Sequence, residues 1–166
     1  MKIKITAIVS LVMLFICPMA SSTTLVNEMQ TERFIKATEE SAKQFVTEFY
    51  NHLRRGMGRD HLASYYTENM LEEYDEVIRE VGSEAKGDLA IVARRLLDLD
   101  MMNARCELLE NTEVKVYGLN LRKAKLSYQV SPQCASWKNE KQRLVFLTYH
   151  TYKERWVISK IEEESE

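Results

Sequence analysis

At 166 residues the chain is long enough for one domain with a sizeable core, and its 45% hydrophobic content is ordinary for a globular protein. Its 23 lysines and arginines against 25 aspartates and glutamates give a net charge of −2. With no basic excess and no basic stripe, a nucleic-acid binder is excluded and a membrane-surface role is disfavoured.

In chain order, Lys2 and Lys4 form a positive region, Ile5–Ile16 an apolar run, and Pro18–Ser22 a break ending in small residues. This three-part pattern predicts a signal peptide over residues 1–22, cleaved after Ala20 or Ser22, and places the mature protein in the periplasm or outside the cell. The apolar run is too short for a spanning anchor, so no membrane association is expected after cleavage. A lipid anchor on Cys17 would want a small residue before it, and Ile16 stands there. Losing Lys2 and Lys4 takes the net charge from −2 to −4. Two cysteines then remain, Cys106 and Cys134, and an even count in an exported chain predicts a disulfide. With no histidine near them they do not make a zinc site.

Residues 23–37 read as a polar tether, residues 38–162 as a single domain, and residues 163–166 as an acidic tail. Thr38 is the expected N-cap of a first helix, with an apolar stripe at Ala42, Phe45, Val46, Phe49, Tyr50 and Leu53 and a stop at Gly56. The pairs Arg54-Arg55 and Arg94-Arg95 read as solvated helix ends and faces. A short helix over Asp60–Tyr66 follows. Thr67 caps a third helix carrying Met70, Leu71, Tyr74, Val77, Ile78 and Val81, which Gly82 ends. A fourth runs from Glu84 to Asp98. The period then changes to that of strands. Cys106–Glu110 is a short strand, and Glu113–Tyr117 alternates. Arg122–Val130 also alternates, with Ala124, Leu126, Tyr128 and Val130 on one face. Ser131–Glu140 reads as a surface loop, and Arg143–Ile161 as a hairpin broken at Lys153-Glu154-Arg155. Leu144–Leu147 is apolar at every position, the mark of a central strand covered on both faces.

Helices followed by a strand meander make an α+β arrangement. Three stretches carry a family resemblance: Phe45-Val-Thr-Glu-Phe-Tyr50, Tyr65-Tyr-Thr-Glu-Asn-Met-Leu71, and Tyr152-Lys-Glu-Arg-Trp-Val-Ile-Ser-Lys-Ile161. Over residues 38–162 the chain resembles the nuclear-transport-factor-2-like (cystatin-like) superfamily, and within it the small exported bacterial members without assigned activity. The resemblance implies helices packed on a curved antiparallel sheet of about four strands that closes into a cone. It also implies a second copy paired through the sheet face away from the long helix. The turn at Lys153–Arg155 lacks the glycine or asparagine usual in the family, which predicts a longer loop there.

Enzymes of that superfamily place acids, tyrosines or histidines inside the cone, but no catalytic acid is matched residue by residue. Asp98 and Asp100 read as a solvated pair at a helix end, and Glu72, Glu73, Asp75 and Glu76 as the outer face of the third helix. His52 and His61 read as surface residues. His150 shares a strand face with Leu144, Phe146 and Thr148, and would be a general base if that face lined the cone. The pocket candidates are Tyr65, Tyr66, Tyr128, Tyr149, His150 and Trp156. There is no phosphate loop, nucleophile motif or metal-spaced cluster, and no cofactor is expected. The expected function is a non-catalytic exported binding protein of the bacterial envelope, for a protein partner (toxin neutralisation is one form) or a small ligand. The alternative is a pocket enzyme doing acid–base chemistry of the isomerase or dehydratase type.

Overall fold

The computed structural model describes residues 20–134 and 140–165. Most of the predicted signal peptide, and the middle of the loop after Cys134, lie outside the described residues. Met1–Arg33 and Phe34–Glu166 form two units, and packing is described for the second.

Four helices precede four strands: α1 (Ala20–Arg55), α2 (Arg59–Tyr65), α3 (Glu68–Ala85), α4 (Leu89–Cys106), β1 (Glu107–Tyr117), β2 (Lys123–Pro132), β3 (Lys141–His150) and β4 (Arg155–Ser165). The strands pair antiparallel in the order β1-β2-β3-β4. The α+β class and the four strands match expectation. The cone does not: the sheet is an open meander, neither curved nor closed into a cone, and β1 and β4 stay at opposite edges. The β4 edge is partly covered by the α2–α3 linker, where Thr67 N–H donates to the Ile158 carbonyl at 2.9 Å and Tyr66 forms a parallel bridge to Ile158. That linker occupies pairing positions a closing strand would need.

The expected apolar stripe of α1 is the centre of the core: Ala42, Val46, Phe49, Tyr50 and Leu53 are buried. It packs against Ala124, Leu126, Tyr128 and Val130 of β2 and Val145 and Leu147 of β3. Strand β3 lies between β2 and β4, as its unbroken apolar run predicts. On its opposite face Leu144 is buried and Phe146 half-buried.

Several boundaries move. Residues 23–37 are helical rather than a tether, and Thr38 lies inside α1, its hydroxyl donating to the Phe34 carbonyl at 2.8 Å. Gly56 (φ 98°) does end α1, and Thr67 does cap α3, accepting from Met70 N–H at 3.3 Å. Gly82 is a packing position and not a stop. The Cδ2 end of the half-exposed Leu89 side chain lies over it, 2.4 Å from where a Cβ would stand, and α3 continues to Ala85 before Lys86 turns left-handed. Helix α4 starts from the Asp88 cap and runs eight residues past Asp98 to Cys106. Its sequel is one strand instead of two, because a bulge between Asn111 and Glu113 absorbs the break in alternation. Asn111 Nδ2 and the Thr112 hydroxyl both donate to the Ser127 carbonyl across that bulge. Strand β2 extends to Pro132, two residues into the expected loop. Residues 163–165 are strand, not tail.

The Cys106–Cys134 disulfide is present, Cα atoms 5.1 Å apart, and ties the end of α4 to the segment after β2. Gln133 N–H donates to the Cys106 carbonyl at 2.7 Å beside it. Replacing both cysteines by serine is expected to cost about 3.5 kcal/mol in urea denaturation, the chain-entropy value for a loop of this length. Two freely alkylated thiols in unreduced exported protein would contradict the bridge.

Candidate functional site

Where α4 runs into β1 it leaves a cleft of about 220 Å³ against α1, α3 and the helix-facing side of β3 and β4. Helix α4 supplies Asp100, Asn103 and Ala104 and the next residue, Glu107, opens β1 on the same side. The aromatic walls are Phe49 and Tyr50 from α1, Tyr66 from the α2–α3 linker and Tyr74 from α3. Arg143 of β3 and Glu163 of β4 close the sheet side.

The sheet side is an ion cluster. Arg143 and Glu107 are only 6% and 4% exposed. Arg143 Nη2 donates to Glu107 Oε1 at 3.0 Å, and its Nη1 lies 2.7 Å from Oε2, an ionic contact without hydrogen-bond geometry. Arg143 Nε donates to Glu163 at 2.9 Å, and Lys141 reaches Glu107 at 2.9 Å and Glu163 at 2.7 Å. The guanidinium also sits over the Tyr50 ring, 5.7 Å from its centroid. Burial alone would lower the Arg143 pKa, but Tyr50, Glu107 and Glu163 more than offset this and hold it charged. Glu163 is likewise kept below the usual carboxylate range: burial works to raise it, and Lys141 and Arg143 prevail.

The helix side is different. The Tyr74 hydroxyl donates to Asp100 Oδ2 at 3.2 Å. Asp100 is nonetheless pushed up by burial, against the lowering pull of that hydrogen bond and of Arg143. Tyr66 and Tyr74 are driven upward by burial first and the Asp100 carboxylate second, so both stay neutral phenols. Tyr50 is raised too, by burial. Asn103 Oδ1 is buried with no hydrogen-bond partner among the described residues.

Of the expected pocket residues, only Tyr66 lies in this cleft. Tyr65 bonds through its hydroxyl to His52 Nδ1, and the two stack with His61. His61 is exposed and His52 half-buried, and with Tyr65 they form one aromatic cluster between α1 and α2. Tyr128 is buried edge-on to Tyr50, and its hydroxyl has no partner. Tyr149 and Trp156 pack against each other near Ser41, where Trp156 Nε1 donates to the serine hydroxyl at 3.3 Å. His150 does not face the helices. Alternation from Arg143 puts it on the opposite face, about 23 Å further along the strand. Its Nδ1 accepts from Lys153 N–H in the turn, a structural role.

Asn103, Glu107, Arg143 and Glu163 were not singled out by sequence, and Asp100, read there as one of a solvated pair, is half-buried in the cleft wall. A signal for Asp100 existed: Ala93, Leu97, Asp100 and Ala104 keep helical spacing on the buried stripe of α4. Ending that helix at Asp98 hid it. Among the described residues, no group of three or more histidines, cysteines or acids is placed to hold a metal. No family model, no curated protein and no solved structure matches the chain.

Two predictions test the electrostatics. Arg143→Leu leaves Glu107 buried with only Lys141 beside it, and is expected to cost about 3 kcal/mol in urea denaturation. Adding Glu107→Leu should restore most of that loss; a double variant no more stable than the single would refute the pairing. Asp100, with its folded pKa above the unfolded one, opposes folding once pH rises through that interval. Asp100→Asn should therefore raise the melting temperature at pH 7, with the gap closing as pH falls below the ordinary aspartate value of about 3.9. A gap that persisted or widened in acid would show that the carboxylate is not penalised by burial.

Proposed function

We propose that the protein is an exported, periplasmic or secreted, binding protein of a bacterial envelope that holds a small ligand in the α4–β1 cleft. One observation carries the reading: an aromatic-lined cleft holds a buried acceptor, Asn103 Oδ1, that no described residue meets, beside Asp100, whose hydrogen bond comes from a phenol. Buried polar atoms are ordinarily paired, and an unpaired one costs about 1–3 kcal/mol unless something else meets it. A bound ligand that meets it recovers that penalty as affinity. The ion cluster beside it consumes its own charges internally and acts as a rigid wall. The cleft favours a small ligand over a protein partner because the polar groups lie inside it, beyond the reach of a flat surface. The disulfide supports an oxidising compartment, in line with the signal-like N-terminus. Among the described residues, no helix is long and apolar enough to cross a membrane.

A second reading has one specific support. Asp100, raised by burial and accepting from the Tyr74 hydroxyl, is an acid–base group in an aromatic site, with the neutral phenol of Tyr66 also in the lining. A pocket enzyme of the isomerase or dehydratase type would use those groups, and not His150.

Nuclear magnetic resonance with a small-metabolite library on the exported full chain tests the binding reading. At least one compound class should shift the resonances of Tyr66, Met70, Tyr74 and Asn103 together, unchanged in chemical identity after incubation. Shifts confined to other surfaces, or none, would reject it. Conversion of a bound compound, abolished by Asp100→Asn, would turn the reading to the enzyme.

A further inference from the structure

The cleft contains a polar imbalance. Its lining holds three carboxylates, Asp100, Glu107 and Glu163, and one guanidinium, Arg143. Arg143 is already committed to Glu107 and Glu163 and stacked on Tyr50. Lys141 outside the lining completes the neutral cluster. Among the described residues no cation contacts Asp100, unlike the other two carboxylates of the lining, and its hydrogen bond comes from a phenol. Asn103, one helical turn on from Asp100, adds an acceptor oxygen with no donor among the described residues. The unmet groups of the cleft are acceptors, and Phe49, Tyr66 and Tyr74 give its lining an aromatic character.

We infer that the cleft takes a small organic amine: a protonated amino group seated between Asp100 and Asn103, carried on an apolar or aromatic body that packs on Phe49, Tyr66 and Met70. An ammonium group supplies three donors and a positive charge, and it answers both the unpaired acceptors and the carboxylate. Aromatic walls add cation–π attraction, which strengthens where water is excluded. An anionic end group would meet Asp100 as a like charge, and a neutral hydroxyl would supply only one donor. Size narrows the class further. At about 220 Å³ the cleft falls short of the roughly 300–1,000 Å³ of sites for drug-sized ligands, so one ring with a short chain suits it. The burial that raises Asp100 is also relieved by such a ligand, because an adjacent cation favours the carboxylate form. This inference rests on the binding reading above and goes beyond it by naming the ligand's chemistry.

Three probes with the same ring and nearly the same chain length separate the outcomes: phenethylamine, 2-phenylethanol and 3-phenylpropionate, each titrated into the full chain by nuclear magnetic resonance. The amine should bind about tenfold or more tightly than the alcohol, the scale of one charge-assisted hydrogen bond, and the carboxylate weakest. Asp100→Asn should remove most of the amine's advantage and change the alcohol's affinity by less than about threefold. Asn103→Leu, which takes away the unpaired acceptor, should weaken the amine similarly. Melting curves confirm that each variant is folded, and where Asn103→Leu is not, Asp100→Asn alone decides. Carboxylate binding equal to or tighter than the amine, an amine preference untouched by Asp100→Asn, or no amine binding at about 10 mM, a free energy near −3 kcal/mol, overturns the inference. If the alcohol or carboxylate shifts the cleft resonances and the amine does not, the binding reading stands while this one falls. Silence from all three across the cleft, with silence from the wider library, removes both.

Discussion

The joint between α4 and β1 is the constraint on which the rest of the structure depends. There a helix of 18 residues passes into an 11-residue strand with no loop between them, Cys106 ending one and Glu107 opening the other. A helix end exposes carbonyls that the next turn would have satisfied. Arg54 from the end of α1 meets them, its Nε donating to the Ala104 carbonyl at 2.8 Å and its Nη2 to that of Glu107 at 3.3 Å. Arg105 returns the favour, its Nε donating to the Arg54 carbonyl at 2.7 Å. The C-termini of two helices therefore cap each other with guanidinium groups, which also suits the negative ends of both dipoles. Arg54 is not the solvated helix-end charge that its position beside Arg55 implies.

Three further ties converge on the same joint: the disulfide from Cys106, the Gln133 hydrogen bond to its carbonyl, and the ion pair from Glu107 to Arg143. The first two come from the adjacent residues Gln133 and Cys134 after β2, and the third from β3. The redundancy matters because β1 is an edge strand whose register decides where Glu107 sits. A slip of one residue would send Glu107 to the other face and leave Arg143 buried without its partner. The bulge after Asn111 then corrects the alternation, so that Leu109 and Val114 both face the core on either side of it. The wall of the cleft and the alignment of the sheet are thus fixed by one set of contacts.

Periodicity made much of this fold legible. The stripe of α1, the alternation of β2 and the unbroken apolar run of β3 each report local burial, and each lies where expected. The cysteine pair was legible because two cysteines outside the signal-like N-terminus admit one pairing. The cone was not a matter of periodicity. It came from resemblance, and local patterns do not encode whether a sheet's edges meet. Tertiary pairings were equally out of reach. Arg143 and Glu163 lie 20 residues apart and Arg143 and Glu107 lie 36 apart, so no local rule links them. Glu163 reads as tail because acidic residues surround it, yet strand pairing sets it opposite Arg143, on that residue's face, while Glu162 and Glu164 fall on the other. Asp100 fell to a boundary error, with the helix ended two residues too soon to place it on the buried stripe. Aromatic residues are hard to sort by sequence because tyrosines serve packing and sites alike: Tyr66 lines the α4–β1 cleft, whereas Tyr149 and Trp156 line a separate hollow beside Ser41 and Arg122.

The two sides of the cleft differ in a way that bears on what it does. On the sheet side, every charge has an opposite charge in contact, and removing one partner would expose a strong penalty, so that side resists change. On the helix side, Asp100 has a phenol for company and Asn103 Oδ1 has no partner among the described residues, so burial is left partly uncompensated. A fold selected for stability alone would have little reason to keep an aspartate in the buried stripe of α4, where leucine would pack. The cost is tolerable because it is local: the ion cluster, the disulfide and the paired helix caps hold the joint whether or not the cleft is filled. Rigid on one side and unmet on the other, the cleft is preorganised, and a ligand entering it needs to supply donors without having to order the walls.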